Sequence, residues 1–129
     1  MATYLAGAYA SQAVEGMLAS SAPTVPTLYL SIHSASPGTT GANELAAGTA
    51  YSQSVRPTLT FAAASAGTIV SNDTQTYTLL SGTAVTYFGI WTASSGGTYI
   101  TGGPTNLSGT IPSGANVVFT NGITLTITG

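Results

Sequence analysis

Near the start of this chain Leu28, Leu30 and Ile32 alternate with Tyr29, Ser31 and His33, and at its end Ile123, Leu125 and Ile127 alternate with Thr124, Thr126 and Thr128. A period of two puts the apolar members on one face of an extended strand. Further short candidates lie between them: 51–55, 58–62, 68–70, 75–80, 84–92, 98–101, 106–110 and 117–120. Gly, Pro, Asn and Ser fill most of the gaps, and strands this short with turns this frequent define an antiparallel β-sandwich or jelly-roll-like domain. Crossover helices are lacking, so a parallel α/β fold is excluded. Asn121-Gly122 is a tight-turn pair and predicts a hairpin between the last two strands.

Residues 2–20 read differently. Leu5, Tyr9, Ala13 and Met17 recur every fourth position in an alanine-rich, proline-free segment, which predicts a short amphipathic helix. Pro23 and Pro26 end it. The expected organisation is an N-terminal helix and connector over 1–26, acting as an assembly arm through the Leu5, Tyr9, Ala13 and Met17 stripe, and a β body over 27–129.

Charge limits the possible functions. Only 3% of the 129 residues are Asp, Glu, Lys or Arg, giving a net charge of −2, whereas soluble domains carry roughly 25%. Such a surface suits a chain packed against copies of itself or against other proteins. A small threonine-rich secreted β domain is the bland alternative. One Arg and no Lys cannot neutralise a run of phosphates, which excludes nucleic acid, and the same shortage argues against a membrane surface. The start lacks a basic signal-type region, and no stretch reaches the ~18 apolar residues of a membrane span. Synthesis in a cytoplasm is expected.

The only histidine and only arginine flank one acid: His33, Glu44 and Arg56. Catalysis by serine or cysteine finds no Gly-x-Ser-x-Gly elbow and no cysteine. One His with scattered acids makes a poor metal site, and Glu15, Glu44 and Asp73 have no spacing that pairs two carboxylates. No enzyme activity, metal or cofactor is expected. The three residues read better as a structural clasp, with Glu44 reaching back to Arg56 or His33 across a loop. As an exposed bridge it would contribute only ~0–1 kcal/mol, leaving His33 and Glu44 nearly dispensable. Trp91 and Tyr87, on one face of the 84–92 strand, would stack on sugars if exposed, but aromatics of this size are more often core. Phe88 and Ile90 load the opposite face, as in a strand covered on both sides.

Four blocks carry a resemblance. The run Leu28-Tyr-Leu-Ser-Ile-His-Ser-Ala-Ser-Pro-Gly-Thr-Thr-Gly-Ala-Asn-Glu44 resembles the L-Y-hydrophobic-x-L-H-T-x-D-P-G-x-x-G-x-x-E signature of small tailed-phage structural proteins labelled tail fibre, minor tail or head decoration. Tyr51 to Pro57 resembles that family's Y-x-R-Q strand, and Phe61-Ala-Ala-Ala-Ser65 its F-x-A-A-S turn. Thr86 to Thr98 resembles its T-H-x-G-I-W-D-A-x-x-G-G hairpin. Ser36 and Thr92 replace family aspartates, and Tyr87 replaces a histidine. The resemblance implies a non-enzymatic virion component made in the host cytoplasm. Its implied partners are the major capsid protein or tail proteins, together with self-association that includes a trimer among its forms. The lack of a repeated shaft places a capsid decoration or cement role first, a tail or tail-fibre component second, and a carbohydrate-binding or adhesin-like domain third.

Overall fold

A computed structural model describes residues 27–62, 68–120 and 123–126. The helix and arm expected over 1–26 therefore lie outside the described residues. Within them the strands are β1 Leu28–His33, β2 Thr58–Leu59, β3 Thr68–Val70, β4 Gln75–Thr78, β5 Tyr87–Trp91, β6 Tyr99–Pro104, β7 Asn116–Phe119 and β8 Thr124–Thr126. Every ladder is antiparallel, and the fold is mainly β.

A four-stranded sheet runs β2-β1-β5-β6. Leu30 opposes Ile90 and Ile32 opposes Phe88, so the apolar alternation of β1 meets that of β5 on one face. The remaining strands pair as β4 with β7 and β3 with β8. These two ladders are one ribbon. The step from Val70 to Gln75 on one limb matches the step from Thr124 to Phe119 on the other, so the register never slips. The Ser71 N–H to Ile123 carbonyl bond (2.9 Å) bridges the gap between them, and the Thr83–Ile111 bridge extends the register the other way. With a change of register the limbs continue into β5 and β6 and meet at the 92–98 loop. Residues 68–120 and 123–126 thus trace a long bent hairpin with its tip at that loop.

This pairing corrects the sequence expectation that the last two strands form a hairpin. β7 and β8 pair with β4 and β3 and not with each other. The long-range register is favoured because it sets Val117 opposite Tyr77 and brings Phe119 against the Tyr77 ring, contacts that a local hairpin would forfeit. Two other expected strands are absent. Around Tyr51 only isolated bridges to Ala47 and Leu79 form. Over 106–110 the backbone turns left-handed at Asn106 (φ 65°) and Gly109 (φ 76°), which an extended strand does not allow.

The core lies where the ribbon meets the sheet. Leu28, Leu30, Ile32, Leu59 and Ile90 pack with Tyr51, Tyr77, Leu79 and Val117. Edge-to-face rings link the layers: Tyr51 to Tyr77 at 4.9 Å, Tyr77 to Phe119 at 5.8 Å and Phe119 to Phe88 at 6.2 Å. The fully buried Tyr77 hydroxyl donates to the Leu30 carbonyl at 2.6 Å, tying the ribbon to β1. The Tyr51 hydroxyl is also buried but has no hydrogen-bond partner, and burial pushes its pKa up to about 12.

The two tyrosines should therefore respond differently to loss of the hydroxyl. In urea titrations Tyr77→Phe is expected to cost about 1–2 kcal/mol, because it leaves a buried carbonyl unpaired. Tyr51→Phe is expected to be neutral or mildly stabilising.

Candidate functional site

The sheet's second face carries Ser31 and His33 from β1 and Gly89 and Trp91 from β5, with Tyr99 beside them. The 34–57 loop lies across this face. The imidazole of His33 and the guanidinium of Arg56 therefore sit inside the protein, between sheet and loop. Two glycines make the closeness possible. A Cβ on Gly89 would come 2.6 Å from both His33 Nε2 and Ser31 Oγ, and one on Gly41 (φ 79°) would strike the Trp91 ring.

Hydrogen bonds order the buried cluster in one direction. His33 Nδ1 lies 2.7 Å from the Ala42 carbonyl, which can only accept, so Nδ1 carries the proton and Nε2 is the acceptor. The Ser31 hydroxyl then donates to Nε2 at 2.7 Å and accepts from Trp91 Nε1–H at 2.8 Å. The relay Trp91 to Ser31 to His33 to Ala42 pins the loop to the sheet. Burial lowers the His33 pKa below 6.5. The bond to Ala42 and the charge of Glu44 oppose that shift, while the charge of Arg56 adds to it.

Arg56 holds a second set of bonds. Its Nε and Nη2 donate to the two oxygens of Glu44 at 2.6 and 2.7 Å, and Nη1 donates to the carbonyls of Ala93 (2.9 Å) and Gly96 (2.7 Å) in the tip loop. The guanidinium lies 3.8 Å above the Trp91 ring, an attractive cation–π position. Arg56 is 8% exposed and Glu44 23%. The pair is a bidentate, largely desolvated bridge, a stronger contact than the exposed one expected from sequence. Beside it an open groove of about 410 Å³ is walled by Glu44, Arg56, Val55, Ser54 and Ser95.

The sequence left open whether Glu44 reaches Arg56 or His33. Its carboxylate goes to Arg56, while Glu44 and His33 face each other only as a backbone bridge. Leu5, Tyr9, Ala13 and Met17 lie outside the described residues. Ser31 and the carbonyls of Ala93 and Gly96 were not singled out from sequence. The shared parity of Ser31 with His33, and of Gly89 with Trp91, was the available signal, but nothing local shows that β1 and β5 are neighbours. Ser31 and His33 stand at nucleophile–base distance, yet both are fully buried, the Ser31 oxygen is occupied by the Trp91 N–H, and a backbone carbonyl fills the orienting position. No group of three His, Cys, Asp or Glu occurs among the described residues. Trp91 is 8% exposed, sandwiched by Arg56 and Tyr99, and offers no stacking platform.

Ser36 and Thr92 each close a turn with a side-chain hydroxyl. Ser36 Oγ accepts from Gly38 N–H at 3.4 Å and Thr92 Oγ1 from Thr98 N–H at 2.9 Å. A hydroxyl closes each turn without adding charge. A family model places this antiparallel β body among the structural proteins of phage virions. The chain belongs to the family described as podophage GP4 fiber I protein gp80, whose model matches residues 1–128. No curated protein matches it. Family membership makes this a virion-associated protein.

Two outcomes follow from the cluster. The unfolded imidazole titrates near 6.5 and the folded one lower, so the unfolded state binds more protons as pH falls. The stability that His33 contributes is complete above 6.5 and lost as pH drops below it. The urea midpoint of the wild type should fall between about pH 7.5 and about pH 5, and that of His33→Gln should stay flatter. Glu44→Gln strands the Arg56 charge and should cost about 2–3 kcal/mol, well above the value of an exposed bridge.

Proposed function

We propose that the chain is a non-enzymatic fibre component of a podophage virion, built as a β-sandwich in which the four-stranded sheet is backed by the ribbon. The family match over residues 1–128 carries this reading. The fibre description favours the tail-fibre placement over the capsid-decoration role, which the missing shaft repeat had ranked first. The geometry adds support. The His33, Glu44 and Arg56 region serves as a structural clasp, holding the 34–57 loop and the tip loop onto one face, with its polar groups facing each other. The rest of the described surface is poor in charge, with Asp73 its one further ionisable acid, suited to protein contact and not to nucleic acid or a membrane.

In this reading residues 1–26 form the anchoring arm, and the body from 27 onward folds by itself and associates with other virion proteins and with copies of itself. Immunogold labelling and copy-number mass spectrometry of purified particles test the placement. Label on fibres is the expected result, and label spread over the shell would return the decoration role. Deleting residues 1–22 should leave the β body folded, as judged by circular dichroism, and abolish its incorporation into particles. A deletion variant that incorporates normally would remove the arm from the mechanism.

A further inference from the structure

We propose that β7 is a strand-pairing interface through which two copies of this chain join antiparallel, edge to edge, about a two-fold axis at Val118. The proposal rests on the self-association reading above and names the surface that performs it.

The hydrogen-bond parity of the ribbon exposes this edge. The Leu79 N–H bonds to the Ala115 carbonyl, so the odd-numbered residues carry the ladder between the limbs. On β4 the even-numbered groups turn the other way and are occupied: the Thr78 carbonyl accepts from Ser52 N–H, and Leu80 N–H donates to Ala50. On β7 the even-numbered residues are Asn116 and Val118, followed by Thr120. Their backbone N–H and C=O groups point away from β4, and no described residue bonds to them. Val118 is 51% exposed.

An open edge with a β-branched exposed side chain is a template for another strand unless it is blunted by charge, proline, a bulge or brevity. Both edges of the four-stranded sheet are blunted. β2 is two residues long, with the Thr58 carbonyl taken by Gln75 Nε2. β6 carries Gly102 and Gly103 and ends at Pro104, which has no N–H. β7 reads Asn-Val-Val-Phe, twice the length of β2, and carries no charge, proline or bulge. No Lys exists in the chain, and Glu44, Arg56 and Asp73 all lie off β7 and β8.

The occupant follows from self-complementarity. An antiparallel two-fold places Val118 of one copy opposite Val118 of the other, and Asn116 opposite Thr120. Each N–H then meets a carbonyl, and no like charges are brought together. The two ribbons become one four-stranded sheet with Val118 beside Thr76 on its outer face.

Sedimentation equilibrium of the full chain at tens of micromolar gives the test. The wild type should sediment as a dimer of the 12.8 kDa chain. Val118→Lys, which puts like charges across the axis, should sediment at about half that mass with an unchanged circular dichroism spectrum. Leu107→Lys, at a position 43% exposed in a loop, should remain dimeric. Hydrogen exchange of the wild type is a check independent of any variant: the Val118 and Thr120 amides should be protected at high concentration and exchange freely on dilution. A monomeric or trimeric wild type, a Val118→Lys protein that keeps its mass, or amides that exchange freely at every concentration would overturn the proposal. None of these results bears on where the chain sits on the particle, which the labelling experiment decides separately.

Discussion

The Arg56 guanidinium is the contact on which the covered face depends. It joins the carboxylate of Glu44, two carbonyls of the tip loop and the face of Trp91. Those partners come from segments far apart in sequence that share no hydrophobic stripe, so ordinary apolar burial would not bring them together. A guanidinium suits the task because its planar fork donates in several in-plane directions while its face remains free to stack. An ammonium would satisfy one or two of these partners and leave the others exposed to competition from water.

The arrangement also explains why so few charges suffice. A carboxylate and a guanidinium taken from water incur a desolvation cost that only close, fully bonded geometry offsets. Here each carboxylate oxygen meets its own N–H, and Nη1 finds two carbonyls. Placed on the surface, the same two charges would contribute little. Placed under the loop, they fix the register between loop and sheet. A body of this kind has little electrostatic preference for one partner over another, so its recognition must rest on shape and on backbone hydrogen bonds.

Much of this was legible in the residues. The alternation of Leu28, Leu30 and Ile32 located β1 and its buried face, and the apolar bulk on both sides of Tyr87–Trp91 signalled a strand covered twice, as Phe119 on one side and Arg56 on the other show. The ribbon was not legible. Its partners lie up to about sixty residues apart in the register Thr68 to Thr126, and strand alternation fixes which face is buried without saying which strand is beside it. Asn121-Gly122 misled for the same reason: a turn signal is local, and the pairing that wins is decided by the rings of Tyr77 and Phe119. Likewise the strength of the Glu44–Arg56 contact could not be judged without knowing that the tip loop closes over it.

The single register maintained from Thr68 to Thr83 and from Ile111 to Thr126 limits how this ribbon can change length. A residue inserted in one limb alone would turn the side chains beyond it inside out, exchanging the Tyr77 and Val117 face for the Thr76 and Val118 face. Two residues inserted in each limb would preserve both faces and every later pairing. The ribbon is thus a segment whose reach can be varied in matched, even steps, while the four-stranded sheet at its other end stays as it is.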